Sequence, residues 1–245
     1  MSAQAQESES ILSAIWRLTL LALPAVLIAV IALDLTPAVD LRLSDLFYRP
    51  GEGFFLGNGW PAQLLYKGTP WLIGGIALAL LATLAWASLG RPAQARRIRN
   101  NAAFALLVLL LGPGLIVNTL LKDHWGRPRP EQIAEFGGKG SFVPALWPSR
   151  QCQHNCSFPS GHAAAGFFLI TGAWIWPRRR WAWRIVGITA GGLIGLARIA
   201  QGGHFFSDVL GALIVVWFTN EMLYWWMLHR GWLEPPPKPA PKRKG

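Results

Sequence analysis

Charged residues are scarce in this chain, and acidic residues are about half as frequent as basic ones. Only 14% of the 245 residues are charged, whereas 52% are hydrophobic and 14 residues are tryptophan. The apolar residues occur in uncharged runs such as 20–33 and 104–117, which lack the polar face that a core helix of a soluble protein shows every 3.6 residues. The composition therefore excludes an ordinary soluble domain and predicts an integral membrane protein.

The excess of basic residues gives a formal net charge of +11, which would also suit a nucleic-acid-binding protein. Most of the basic residues, however, stand at the ends of apolar runs, where they fit the positive-inside rule and attraction to anionic headgroups. We therefore expect the bilayer as a partner and no nucleic acid. A cleavable signal peptide is not evident, because the first apolar run is too long, follows acidic residues and lacks a clear cleavage site.

The apolar runs predict an all-α fold, a polytopic bundle of six transmembrane helices. The predicted spans are 15–33, 70–89, 102–121, 162–177, 184–201 and 209–228. The fourth is short for a span, so we expect it to extend into flanking residues or to be stabilised by its neighbours. Pro24 and Pro113 lie inside spans, where kinks or locally broken hydrogen bonding are expected.

The connections between the spans predict the orientation. The connections 90–101 and 178–184 and the tail after Trp226 are rich in Arg and Lys, which places them and both termini in the cytoplasm. The connections 34–69, 122–161 and 202–208 then lie on the outer face of the membrane. We expect one six-span domain over 1–233 and a disordered, Pro- and Lys-rich tail over 234–245.

The first outer connection contains a segment, 40–50, with two readings. Its apolar residues Leu41, Leu43, Leu46 and Phe47 fall close to one helical face, which suits a short helix lying in the membrane interface. An ordinary extramembrane loop covering the bundle fits the same residues equally well.

Polar residues collect at the outer ends of the predicted spans, although three separate connections carry them. Three cations stand beside a serine hydroxyl, a glycine N–H and two histidines, a set that suits a tetrahedral oxyanion such as phosphate. His204 and Asp208 are four residues apart and share a helical face, so the carboxylate can orient the imidazole as a nucleophile or base. His162 is better placed as a general acid. The set is Lys122, Arg129, Ser160, Gly161, His162, Arg198, His204 and Asp208.

Each of these residues also has an ordinary interpretation. A cation near the end of a span often extends to the headgroups, a histidine at a helix start is often a surface residue, and Asp208 could simply favour a helix N-terminus. Arg198 is harder to explain in this way, because an ionisable residue within an apolar run is costly. The hypothesis of a site would fail only if all of these ordinary interpretations were correct at once.

Three motifs in this region resemble those of a known family. The segment KDHWGRPRP (122–130) fits K-x6-R-P, PSGH stands at 159–162, and ARIAQGGHFFSD (197–208) fits S-R-x5-H-x3-D with Ala197 in place of serine. In this order they are similar to the signature of the type 2 phosphatidic acid phosphatase superfamily, which includes membrane lipid phosphatases and soluble vanadium haloperoxidases. Ala197 removes a possible supporting hydrogen bond but no charge or nucleophile.

The resemblance implies a role for each residue. His204 would attack phosphorus to give a phosphohistidine, Asp208 would orient His204, and His162 would protonate the leaving group. Lys122, Arg129, Ser160, Gly161 and Arg198 would hold the phosphate oxygens, so no metal and no other cofactor is expected. Asp123 and Arg127, at variable positions of the first motif, are interpreted as supporting or surface residues.

The expected substrate is a phosphorylated membrane lipid, because the site lies at the membrane–water boundary. The long loop with Cys-x3-Cys before PSGH looks most like bacterial lipid A phosphatases. Alternatives are an undecaprenyl diphosphate or phosphatidylglycerophosphate phosphatase and a lipid phosphotransferase. Two other classes fit less well: a haloperoxidase, which would need a large soluble helical domain, and a non-catalytic lipid-binding protein, which would not need the pair of His204 and Asp208.

The two cysteines of the chain, Cys152 and Cys156, lie just before the second motif on the predicted oxidising side. A metal site could use both together with His154, but their spacing is too close for usual zinc sites and no fourth ligand is evident. A disulfide that stiffens the loop is the favoured interpretation, and we expect it to preorganise the site more than it stabilises the fold.

Overall fold

The computed structural model describes residue 31 and residues 37–89 and 93–234. The described part is mainly helical, with one two-stranded antiparallel hairpin in which Tyr48 pairs with Phe54. Most of the predicted first span, 15–33, and all but the first residue of the predicted disordered tail lie outside the described residues. The α-helices and strands are α1 (Pro37–Asp45), β1 (Tyr48–Arg49), β2 (Gly53–Phe54), α2 (Trp60–Leu89), α3 (Ala93–Leu109), α4 (Lys122–His124), α5 (Gly161–Phe167), α6 (Gly172–Ile175), α7 (Arg180–Ala200) and α8 (Phe206–His229).

Other helical turns join these elements. A π-helical segment, Leu110–Leu121, joins α3 to α4, and a 3₁₀ turn, Phe168–Thr171, joins α5 to α6. Further 3₁₀ turns are Pro130–Gln132, Ala134–Phe136 and Pro177–Arg179.

Four helical segments of the described chain are long and apolar enough to cross a membrane: Trp60–Leu89, Ala95–His124, Pro177–Ala200 and Phe206–His229. They contain or overlap four of the predicted spans. The predicted span 162–177 corresponds to the shorter apolar segment Gly161–Ile175, which the 3₁₀ turn interrupts. A mainly helical chain with membrane-length apolar helices is therefore confirmed, whereas the count of six spans and their orientation stay predictions.

Helix α2 carries many of its apolar side chains on the outside of the described bundle. Trp71 is 83% exposed and Leu89 is 87% exposed, and Leu78 and Trp86 are also well exposed. In water such a surface would be costly, whereas hydrocarbon solvates it. This face of α2 is suited to contact lipid.

The long helix that runs through α3 is altered at Pro113, as the sequence predicts. Pro113 has no N–H group to donate, and the helix continues there as the π-helical segment. At its end the N–H of Lys122 donates to the carbonyl oxygen of Val117, five residues back. The wider turn thus determines where Lys122 stands on the helix surface.

Glycines allow α7 to lie close against its neighbours. Gly187, Gly191 and Gly195 recur every four residues on one face of α7. A Cβ atom on Gly191 would lie 2.1 Å from the ring of Phe167, and one on Gly166 of α5 would lie 2.7 Å from the Cα of Gly191. Larger residues would separate α5 from α7 and displace the start of α5.

The segment 40–50 forms a helix, α1, over its first part, as one of the two readings predicts. The residues that α1 buries are Asp40 and Ser44, whereas Leu46 is 68% exposed. The expectation of an apolar face there is thus incomplete, because the most deeply buried face of α1 is polar. Asp40 is only 3% exposed, and it bonds Arg127 and Ser207.

Candidate active site

The residues predicted to form a site do come together, at one end of the helices. Lys122 follows the π-helical segment, Ser160 precedes α5, Arg198 lies in the last turn of α7, and Asp208 lies in the first turn of α8. His204 stands in the turn between α7 and α8, within electrostatic reach of Lys122, Arg198 and Asp208. Lys122 in turn lies within electrostatic reach of Arg129.

One ring nitrogen of His204 is held by the protein. Nδ1 lies 2.6 Å from the carbonyl oxygen of Ser157, so it carries the proton and donates it to that oxygen. Nδ1 lies 3.6 Å from Oδ2 of Asp208, which is beyond a normal hydrogen bond. Asp208 therefore acts on His204 mainly as a nearby negative charge, and the carbonyl of Ser157 fixes the ring.

The other ring nitrogen of His204 has no hydrogen-bond partner among the described residues. Nε2 is buried, and its lone pair is available because Nδ1 carries the proton. Burial lowers the pKa of His204 to about 3, with Lys122 and Arg198 acting in the same direction and Asp208 acting against them. The imidazole is therefore neutral near pH 7, the form that can attack an electrophile.

Asp208 is fully buried and fully bonded. It accepts hydrogen bonds from the hydroxyl of Ser157 at 2.5 Å, from the N–H of Phe205 at 2.7 Å and from the guanidinium of Arg127. The bond from Phe205 also means that Asp208 occupies the N-terminal position on α8 that its ordinary interpretation predicts. One side chain therefore both places a negative charge beside His204 and caps the start of α8.

Arg127 is the largest fully buried side chain in the described chain, at 0% exposed. Its guanidinium bonds the carbonyl oxygen of Val143 at 2.8 Å, the hydroxyl of Ser207 at 2.8 Å, and the carboxylates of Asp208 and Asp40. Of the two readings of Arg127 from the sequence, a supporting residue or a surface residue, the structure agrees with the first. Asp123, by contrast, is exposed and accepts a hydrogen bond from the N–H of Asn155 at 3.0 Å.

Asp40 completes this network from a distant part of the sequence. Its carboxylate accepts from Arg127 at 2.8 Å and from the N–H of Ser207 at 2.8 Å, and it also bonds the hydroxyl of Ser207. Two buried carboxylates thus share one buried guanidinium. A buried charge needs such compensation, since removal of one partner leaves the others unpaired.

The turn before α5 has the geometry that the sequence predicts. The side-chain oxygen of Ser160 accepts a hydrogen bond from the N–H of Ala163 at 3.4 Å and so caps the helix. The N–H of Ser160 donates to the carbonyl oxygen of Asp208 at 3.0 Å, which ties this turn to α8. Gly161 packs against Asn118, and a Cβ atom there would lie 2.2 Å from the Asn118 amide oxygen.

His162 and Arg198 share an aromatic neighbour. The ring of Tyr66 stacks on His162 with centroids 4.8 Å apart, and the guanidinium of Arg198 lies 4.5 Å from the same ring. Arg198 is 7% exposed and bonds Gln201, but its Nε has no hydrogen-bond partner in the described chain. The guanidinium thus retains a buried donor for an anion.

The loop before the second motif contains a disulfide between Cys152 and Cys156, whose Cα atoms lie 5.6 Å apart. Within the closed loop, the carbonyl oxygen of Asn155 accepts from Arg129 at 2.8 Å. The N–H of Cys156 donates to the carbonyl oxygen of Lys122 at 3.1 Å. The loop therefore contacts two of the candidate phosphate ligands.

Sequence reasoning missed four residues of the site: Asp40, Tyr66, Ser157 and Ser207. Asp40 and Ser44 are four residues apart, and this polar pair was the one signal that α1 buries a polar face. Ser157 lies within the stretch SFPSGH, but it acts through its carbonyl oxygen as well as its hydroxyl, and a backbone contact leaves no mark on residue type. Nothing in the sequence near Tyr66 indicates its contacts.

Comparison with known proteins identifies the family of the chain. The model of the PAP2 superfamily matches residues 101–232. A lipid A 4'-phosphatase of Francisella tularensis subsp. novicida is 42% identical over 130 residues, which cover 52% of this chain and 59% of that protein. A lipid A 4'-phosphatase of Rhizobium etli is 31% identical over 200 residues, 73% of this chain and 77% of that protein.

A lipid A 1-phosphatase of Rhizobium johnstonii is 34% identical over 129 residues, 52% of this chain and 48% of that protein. The chain thus spans less than two thirds of two of these three relatives. No solved structure matches the chain. Because the family model covers more than half of the sequence, including all three motifs, the chain belongs to the PAP2 superfamily.

Proposed function

We propose that the protein is a membrane lipid phosphatase that acts through a phosphohistidine intermediate and needs no metal ion. The observation that carries the proposal is the state of His204. Its Nδ1 is tied to the protein at 2.6 Å, and its Nε2 is buried without a partner in the described chain beside two cations. A neutral imidazole held in this way is a nucleophile aimed at a site that attracts an anion.

In the first step, the lone pair on Nε2 of His204 forms a bond to phosphorus. The bond from phosphorus to the leaving oxygen breaks, and that oxygen takes a proton from His162. Lys122, Arg129 and Arg198 neutralise the phosphate oxygens, with the hydroxyl of Ser160 and the N–H of Gly161 as further donors. Asp208 stabilises the imidazole as its charge becomes positive.

In the second step, water attacks phosphorus. His162 accepts a proton from the water, the N–P bond breaks, and the electron pair returns to Nε2 of His204. Inorganic phosphate then leaves. An alcohol on a second lipid could replace the water, in which case the enzyme would be a phosphotransferase. The two outcomes differ in their products and are separated by the assay below.

Lipid A is the favoured substrate, and its 4'-phosphate the favoured position. The relatives from Francisella and Rhizobium etli are both named lipid A 4'-phosphatase, and the match to the latter extends over 73% of this chain. Phosphatidylglycerophosphate and undecaprenyl diphosphate are the alternatives. The basic connections at the far end of the helices and the disulfide beside the site support an active site on the periplasmic side of the inner membrane.

The test is a substrate panel with purified protein in detergent, scored by inorganic phosphate release and product mass. The panel contains lipid A phosphorylated at position 1 or 4', undecaprenyl diphosphate, phosphatidylglycerophosphate and phosphatidic acid. We expect the highest kcat/KM on the 4'-phosphate. His204→Ala should lower phosphate release by at least about 10³-fold, because the nucleophile itself is removed.

His124→Ala is the matched control, since His124 is an exposed histidine two residues after Lys122 and its loss should leave activity unchanged. Rapid quenching of the wild type should trap an acid-labile phosphoryl group on His204. Equal phosphate release by wild type and His204→Ala would refute the proposal.

A further inference from the structure

A cavity of about 710 Å³ opens at the opposite end of the helices from His204. The start of α3, the junction between α6 and α7, and the residues after α8 form its walls. Lys122 lies 26 residues along the same continuous helix from Arg96, which places the cavity roughly 30–40 Å from the site at the rise of an α-helix. The cavity is therefore a separate feature, close to the other membrane surface.

The walls of the cavity are strongly basic. Arg96 and Arg97 enter from α3, and Arg178 and Arg179 enter from the turn before α7. Glu234 is the one acidic residue in the described lining, and it pairs with Arg97 at 3.6 Å. Arg96, Arg178 and Arg179 make no ion pair with any described residue.

Neutral polar and aromatic groups complete the lining. The side chain of Asn100 donates to the carbonyl oxygen of Trp232 at 2.7 Å, which holds the chain after α8 against α3. Trp176 and Trp232 are both about half exposed at the cavity. Partly exposed tryptophans are typical of the depth at which lipid headgroups meet the hydrocarbon.

We propose that this cavity binds the phosphate-bearing headgroup of an anionic phospholipid. Arginine donates in pairs to phosphate oxygens, and unpaired arginines from two different elements can contact one phosphate together. At the headgroup depth, the abundant anion is the lipid phosphate itself, and basic pockets between membrane helices recognise such headgroups. Bound there, the lipid would link α3 to the start of α7. The inference is independent of the proposed phosphatase activity.

The test compares lipid retention by three full-length proteins. Wild type, Arg96→Gln/Arg178→Gln and Arg99→Gln/Arg180→Gln are purified under the same conditions, and retained phospholipid is measured by mass spectrometry. The control pair removes the same charge from the same two regions, but Arg99 and Arg180 do not line the cavity. We expect wild type and control to retain anionic phospholipid equally, and the cavity variant to retain about tenfold less.

Equal retention by all three proteins would overturn the proposal, as would equal retention of anionic and zwitterionic lipid by the wild type. Gel filtration and phosphate release show whether each variant is folded, because the cavity is remote from His204. If the double variant does not fold, the single variants Arg96→Gln and Arg178→Gln are compared with Arg99→Gln in the same way.

A second measurement identifies the source of the phosphate. The thermal midpoint of the wild type should rise on transfer from phosphatidylcholine nanodiscs to nanodiscs that contain phosphatidylglycerol, and the rise should be smaller for the cavity variant. Inorganic phosphate at millimolar concentration should give no comparable rise that depends on Arg96 and Arg178. A rise as large as that given by lipid would assign the cavity to soluble phosphate and overturn the lipid assignment.

Discussion

Two buried arginines flank His204, and they are held in opposite ways. Arg127 is 0% exposed and bonds two carboxylates, a hydroxyl and a backbone carbonyl. Arg198 is 7% exposed, bonds the side chain of Gln201, and keeps its Nε without a hydrogen-bond partner in the described chain. One guanidinium is saturated by the protein, and the other has a donor left.

The difference assigns the two arginines different functions: Arg127 positions Asp208, and Arg198 is available to bind the substrate. Arg127 cannot contact a substrate, because it is buried behind Asp208, but it fixes the carboxylate that lies beside His204. Burial of the Arg198 charge is costly, and few protein contacts offset that cost. A bound anion that completes the hydrogen bonding of the guanidinium would offset it. Loss of Arg127 should therefore damage the fold and the activity together, whereas loss of Arg198 should damage activity alone.

The largest effect is expected for Arg127→Met. The substitution leaves Asp40 and Asp208 buried without their shared cation, which costs about 3–5 kcal/mol of stability. It should also lower kcat/KM by about 10³-fold or more, because Asp208 no longer holds its place beside His204. Thermal unfolding and phosphate release measure the two effects.

The control for Arg127→Met is Arg150→Met, which removes an exposed arginine from the loop at the same end of the molecule. It should change neither quantity. A stable but inactive Arg127→Met protein would show that Arg127 acts on substrate and would remove the distinction between the two arginines.

Arg198→Gln should lower kcat/KM by about 10²–10³-fold, the usual cost of a lost donor to a transition-state anion. Its thermal midpoint should stay close to that of the wild type, because the side chain has few protein partners to lose. Arg180→Gln, at the exposed start of the same helix, is the matched control. A large loss of stability in Arg198→Gln would instead make Arg198 a structural residue.

Gly203→Ala tests the position of Arg198 without removing its charge. A Cβ atom at residue 203 would lie 2.1 Å from one terminal nitrogen of the Arg198 guanidinium and would force it to move. We expect a drop in kcat/KM of the same sign as in Arg198→Gln but smaller. Unchanged kcat/KM would show that the exact place of the guanidinium does not matter.

The pH dependence of stability tests the buried environment of His204, in which Arg198 and Lys122 act in the same direction as burial. The pKa of His204 falls from 6.5 to about 3 on burial, so only the unfolded chain takes up this proton between those values. Stability contributed by the neutral ring is therefore present above pH 6.5 and is lost as the pH falls towards 3. Between pH 7 and pH 5 the loss is about 2 kcal/mol.

The measurement compares the thermal midpoints of wild type and His204→Gln at pH 7 and pH 5. Glutamine does not titrate, so the midpoint of the wild type should fall further, by about 4–8 °C for a chain of this size. Parallel changes in the two proteins would mean that His204 is not desolvated in the folded state.

The sequence predicted the side of His204 that faces the substrate better than the side that faces the protein. The candidate residues could be collected because they stand at or near the outer end of an apolar run, where a polar residue is conspicuous: Lys122, Arg129, His162, Arg198 and His204. The pair of His204 and Asp208 followed from a spacing of four residues. These signals are local, and periodicity is enough to find them.

The network behind Asp208 could not be found in this way. Asp40 is 87 positions before Arg127 in the sequence, and the leucines around it suggested an apolar helical face in the membrane interface. The carbonyl oxygen of Ser157, which fixes the ring of His204, is a backbone group that every residue type possesses. The close packing of α7 against α5 depends on which glycines face each other, and this is set by the tertiary fold.

The smallest effect is expected from loss of the disulfide, whose loop contacts two of the predicted phosphate-binding residues, Arg129 and Lys122. The closed loop holds Arg129 through the carbonyl oxygen of Asn155, and it contacts the carbonyl oxygen of Lys122 through the N–H of Cys156. Cys152→Ser/Cys156→Ser should therefore lower kcat/KM about five- to tenfold, or about 1 kcal/mol, by loosening these two cations.

The bundle itself should remain folded without the disulfide, because the bond closes a very short loop and constrains the unfolded chain little. Reduction of the wild type should lower kcat/KM to the same extent. The reductant should not change kcat/KM of the double serine variant, which therefore serves as the control for the reductant. If reduction instead unfolded the wild type, the loop would support the helices. The residues on the substrate side of His204 would then contribute to the stability of the fold as well as to activity.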